Sequence, residues 1–186
     1  ERAASAQERG IYVSIMLFEN YASFRHNEVP LDRHMFAADN NINGIDGDAD
    51  NDNEGEETRN LANTAIIAIQ AAYVEKVVDT LGDLDNVLWE ISNEEDGTTQ
   101  TNAWQNHWIA HIHDYEAGKP KQHPVGFTVA FPNGDDAVLT SSDAEWISPK
   151  NGSSLSPGTA GGAQVILFDT DHIVGLTTEH EWVWQS

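Results

Sequence analysis

The chain alternates between apolar stretches of strand length and longer stretches with helical spacing. Ile11 to Phe18 (IYVSIMLF) is a nearly continuous apolar run, the pattern of a strand covered on both faces in a parallel sheet. Glu19 to Arg59 reads as irregular and too polar to pack. From Asn60 to Leu81, the residues Leu61, Ala65, Ile66, Ile69, Ala72, Tyr73, Val77 and Leu81 recur at helical spacing, and Gly82 can end the helix. Val87 to Ile91 is a second strand, and a helix from about Asn102 to Ala117 is stopped by Gly118 and Pro120. Val125 to Phe131 is a third strand and the piece around Trp146 and Ile147 a fourth. A Gly/Ser/Pro-rich loop from Asn151 to Gly162 then leads into a fifth, Val165 to Phe168. Strands alternating with helices predict an α/β fold of parallel β/α units, either an open doubly wound sheet or an eightfold barrel.

Chemistry at the strand ends separates these layouts. Parallel β/α folds bind ligands beyond the carboxyl ends of their strands. The first strand is followed by Asn20, Arg25 and His26, the second by Ser92, Asn93, Glu94 and Glu95, and the fifth by Asp169, Thr170, Asp171 and His172. No βα turn carries a GxGxxG or GKS/GKT phosphate loop, which favours the barrel. Strand parity puts Leu88, Glu90, Ser92 and Glu94 on one face, and Leu167, Asp169 and Asp171 share a parity as well. If both sets face a barrel axis, carboxylates from two strands converge, and a pair of carboxylates is the equipment for glycoside hydrolysis.

Charge narrows the partners. Nine Lys and Arg against 31 Asp and Glu give a formal charge of −22 on 186 residues, while 39% of residues are hydrophobic, enough for one globular domain. Such a surface repels phosphate backbones and anionic headgroups, so neither nucleic acid nor membrane is an expected partner, and it is the balance of proteins kept soluble in concentrated salt. No apolar run reaches the roughly 18 residues needed to span a bilayer. The absence of cysteine excludes disulfides, thiolate metal sites and a cysteine nucleophile, and leaves the compartment open.

With these residues in view, the chain resembles a known family. WEISNE after a long helix is similar to the fourth strand of the (β/α)8 retaining glycoside hydrolases of clan A, where an Asn-Glu pair closes the strand. IYVSIMLF, AADNNINGIDGD, YVEKVVDTLGDLDN, KPKQHPVGFT, EWISP and VILFDTDH extend the likeness over nearly the whole chain, to a group of bacterial cellulase-like barrel proteins, some of them labelled as carrying a collagen-binding domain. The resemblance implies a hydrolase acting on a plant or algal poly- or oligosaccharide, secreted or periplasmic where a signal peptide precedes the chain. It makes Glu94 the acid/base and Asn93 its sugar-binding neighbour. Apart from the resemblance, Trp146, at the end of a short strand, is a candidate platform for a sugar ring, and Asn40, Asn41 and His172 are further candidate substrate contacts, His172 being more often a structural hydrogen-bond partner than a catalyst. The family's nucleophile is a Glu ending the seventh strand; here Asp169 and Asp171 stand in that region, one methylene shorter. A non-catalytic carbohydrate-binding relative is the alternative.

By the same likeness, residues 1–186 form one partial barrel from about strand three to helix seven, with an acidic insertion at about 40–58. A full barrel needs about 250 residues. Because Glu1 to Arg9 reads as a helix end before Gly10, the native amino terminus is expected upstream, and the isolated arc is expected to be poorly stable.

Other readings stand beside these. Glu94 could cap a helix at a surface turn, and Asp169 and Asp171 could cap the following helix or pair with Arg. Trp104 and Trp108, four apart, read as a packing face, and His107, His111 and His113 as solvated residues on an outer helix. No cofactor is expected. Asp46, Asp48, Asp50 and Glu57 match positions one, three, five and twelve of a calcium loop, but Asn51 replaces the Gly at six, so a solvated or salt-adapted loop is preferred to calcium.

Overall fold

The computed structural model describes residues 1–20, 31, 34–52, 55–131, 134–150 and 163–167. Five strands, β1 (Val13–Glu19), β2 (Val87–Asn93), β3 (Val125–Thr128), β4 (Trp146–Ser148) and β5 (Val165–Ile166), form one sheet. All run parallel in the order β1-β2-β3-β4-β5, so each strand pairs only with its neighbours in sequence. The order never reverses, and these strands contain no switch point of the kind at which doubly wound sheets bind ligands. Helices α1 (Arg2–Gln7), α2 (Thr64–Leu81), α3 (Thr99–Glu116) and α4 (Asp136–Thr140) precede or connect the strands.

Local chemistry sets the helix starts. Asn63, Thr98 and Asp135 each accept a hydrogen bond from a backbone N–H in the first turn of α2, α3 and α4, satisfying donors that a helix leaves open. On the helix-covered face of the sheet, Val87, Trp89 and Ile91 of β2 and Val125 and Phe127 of β3 meet Val74 and Val78 of α2 and Trp104, Trp108, Ile109 and Ile112 of α3. Trp104 and Trp108 are fully buried, as their spacing predicts, and Phe18 closes edge-on against Trp104 at 4.8 Å between ring centres. Below the core, at the amino end of β3, the buried Glu116 carboxyl accepts from His123 N (2.8 Å) and Trp89 Nε1 (3.2 Å). It also meets His123 Nδ1 at 2.7 Å, while His123 Nε2 lies 2.8 Å from the Leu84 carbonyl.

Three expectations need correction. The buried stripe of α2 is Ile66, Gln70, Val74 and Val78, whereas Ala65 and Ala72 are exposed: the apolar residues cover more than one face, and the sheet and α3 select one row among them. The stretch 19–59 does pack in part. Leu31, Phe36, Ala37, Thr58 and Arg59 are buried, and the 3-10 turns Ala38–Asn40 and Glu56–Arg59 lie within it. The third strand ends at Thr128, and α4, which the sequence pattern did not reveal, follows. Arg25, His26, the 151–162 loop, Phe168, Asp169, Asp171 and His172 lie outside the described residues. Among the described residues no helix is long and apolar enough to cross a membrane.

Candidate functional site

The carboxyl end of β2 carries the unusual chemistry. Immediately after the strand, Glu94 takes a left-handed conformation (φ 51°) and is 7% exposed. A side chain with a Cβ pays roughly 1 kcal/mol or more for that backbone, so the surroundings must hold it. Asn20, at the end of β1, does so: its N–H donates to the Asn93 carbonyl (3.1 Å) and its Nδ2 to the Glu94 carbonyl (3.0 Å). Its Oδ1 accepts from Arg59 Nη1, which reaches in from the 3-10 turn. Asn93 is half-buried and closes the strand register opposite Glu19.

Arg59 also meets Glu95. Its Nη1 lies 3.3 Å from Glu95 Oε2, while Ser92 Oγ donates to Glu95 Oε1 at 2.6 Å. Burial pushes the Glu95 carboxyl up to about 7, against the opposing pull of Arg59 and the Ser92 hydroxyl; Asp96 and Glu19 add to the rise. The Glu95 carbonyl accepts from Phe131 N (3.1 Å) and so ties the ends of β2 and β3. Asp96 turns to α3, accepting from Thr98 N (3.0 Å) and Thr101 Oγ1 (2.6 Å). Although burial opposes it, these bonds hold Asp96 below the ordinary carboxylate range. Two adjacent glutamates are thereby placed in different settings.

No protein-family model, curated protein or solved structure matches the chain.

The remaining candidates are dispersed. Glu90 is midway along β2 on the face opposite the helices, where Ser14 Oγ (2.9 Å) and Thr128 Oγ1 (3.1 Å) donate to it from the flanking strands. Trp146 lies farther along that row. It is 5% exposed and folded over Gly126, where an added Cβ would sit 1.8 Å from the indole, so the close approach requires glycine. Its indole N–H has no hydrogen-bond partner among the described residues. Asn40 and Asn41 serve their own loop. Asn40 Nδ2 donates to the His34 carbonyl; Asn41 Nδ2 donates to the Ala37 and Ile45 carbonyls, and its Oδ1 accepts from Asn43 N and Ile45 N.

In the acidic loop, carboxylate oxygens of Asp48, Asp50 and Asp52 come within 4.8 Å of one another and could hold a cation. Asn51 has φ 63°, the conformation for which calcium loops use glycine. Glu57 instead accepts from Ala49 N at 2.7 Å.

Sequence reasoning named Glu95 only within the strand-end cluster and gave neither it nor Arg59 a role. A signal was present, since Arg59 is the only Lys or Arg from residue 34 to 75 within a strongly acidic tract. A solitary cation there is placed to neutralise a carboxylate that the fold buries.

Proposed function

We propose that the five strands are an arc of a (β/α)8 barrel that hydrolyses glycosidic bonds of a plant or algal poly- or oligosaccharide. Glu94 is the general acid/base, and Asn93 hydrogen-bonds the sugar beside the scissile bond. The observation that carries the reading is the setting of Glu94: a buried position at the carboxyl end of an interior parallel strand, kept in a backbone conformation that costs stability. Strain of this kind persists where the surroundings hold it and is concentrated at ligand and catalytic sites. The unreversed strand order supports the barrel layout, because β/α units wound in one direction curl a parallel sheet toward closure.

In this reading Glu94 protonates the leaving glycosidic oxygen, and a second carboxylate, Asp169 or Asp171, attacks the anomeric carbon or activates water. The test is turnover of aryl glycosides and polysaccharides by the unmutated protein and by Glu94→Gln. Loss of the proton donor should lower the rate on substrates with poor leaving groups by about 10² to 10⁴, with a smaller effect on activated aryl glycosides. Full activity of Glu94→Gln on a polysaccharide would overturn the assignment.

A non-catalytic carbohydrate-binding barrel is the second reading. It is favoured by Glu95, the nearest carboxyl in sequence, being engaged by Ser92 and Arg59. Sugar binding with no turnover of any glycoside would select it.

A further inference from the structure

Beside the strand-end cluster, the end of β1, the first half of α2 and residues 34–36 and 58–59 border a cavity of about 380 Å³. Phe18, Phe36, Ile69, Tyr73 and Met35 make its walls predominantly apolar and aromatic. Arg59 and the fully buried Glu95 lie against it from the strand-end side. A largely apolar cavity with a few convergent polar groups is the usual form of a small-molecule site. An apolar protein cavity of about 150 Å³ takes benzene, so this one has room for two fused rings.

The polar side limits what enters. Gln70 is engaged at both polar atoms, its Nε2 donating to the Thr58 carbonyl (2.7 Å) and its Oε1 accepting from Trp104 Nε1 (3.0 Å), and the Tyr73 hydroxyl donates to the Leu17 carbonyl (3.0 Å). Glu95 offers the most acceptor capacity: one donor reaches each of its two oxygens, and a carboxylate oxygen accepts two. It therefore keeps room for a ligand O–H. An anionic ligand would face Glu19, and Glu95 wherever it is ionised, in a chain of net charge −22, and a cationic one would face Arg59.

We propose that this cavity is a binding site for a neutral one- or two-ring aromatic alcohol of the phenol class, its rings between Phe18, Phe36 and Tyr73 and its hydroxyl on Glu95. The site does not depend on the hydrolase reading, because binding is measured without turnover.

The test is calorimetric titration of the full chain with 2-naphthol and with naphthalene-2-carboxylate. One-to-one saturable binding of 2-naphthol is expected, at least tenfold tighter than that of the carboxylate. Ile69→Trp, which fills the cavity, should weaken 2-naphthol binding at least tenfold. Met35→Glu, a change at an exposed wall residue, should weaken it as well while leaving the thermal midpoint near that of the unmutated chain. Absence of saturable binding, equal affinity for the carboxylate, or unchanged affinity in Met35→Glu would overturn the proposal.

Discussion

Glu95 holds a proton in the folded chain over a pH range in which the unfolded chain has released it, because burial raises its pKa from an ordinary 4.5 to about 7. The folded state binds more protons in that window, so this group's contribution to stability is greatest below about pH 4.5 and falls as pH rises to 7. The loss is on the order of 3 kcal/mol. Glu95→Gln can turn its single oxygen to Arg59 and donate its amide N–H to the Ser92 hydroxyl, and it removes the titration. Between pH 4.5 and 7, its thermal midpoint relative to the unmutated protein should rise steadily; a constant difference would refute the account. Gly126 offers a second test at this scale. An alanine there drives a methyl into the Trp146 ring, so Gly126→Ala should cost about 1 to 3 kcal/mol by urea denaturation, and substantially less when Trp146 is also reduced to alanine.

The connection from α3 to β3 rests on a buried polar group that links three elements. Glu116 at the end of α3 draws its donors from His123 before β3 and from Trp89 of β2. His123→Ala leaves the buried carboxyl with fewer partners and should cost about 3 kcal/mol in urea denaturation; His107→Ala, at a half-buried ring packed on Trp108, should cost less. Elements of this kind were only partly legible in the sequence. Long periodic segments declared α2 and α3, and apolar runs declared the strands, because helix and strand periods differ. The inward row of α2 was not legible: Ala65, Ala72 and Tyr73 have the same apolar character as Ile66 and Val74, and only packing distinguishes them. At the candidate site, Glu94 could be read from the strand that ends in it. The pairing of Glu95 with Arg59 could not, since it spans 36 positions and depends on how an irregular, acidic segment returns to the sheet.

Across the whole molecule the dominant electrostatic fact is the charge of −22, which makes compaction work against self-repulsion. Raising sodium chloride from 0.1 to 1 M shortens the screening length from about 10 to 3 Å, so the thermal midpoint should climb through that range. A fall would show that ion pairs such as Lys119 with Asp79 outweigh the repulsion. The unreversed strand order has a further consequence, one of time. Val13 pairs with Val87, 74 positions on, whereas Gly126 with Trp146 and Trp146 with Val165 close spans of 20 and 19. Bringing β1 to β2 therefore costs about 1 kcal/mol more chain entropy than either later closure. Among these five strands, folding is expected to begin in the later units and to seat β1 last, even though the ribosome delivers β1 before the other four. The Asn20 and Arg59 contacts that fix Glu94 form only at that final step, and pulsed hydrogen exchange should find the amides of β1 protected after those of β2 and β3.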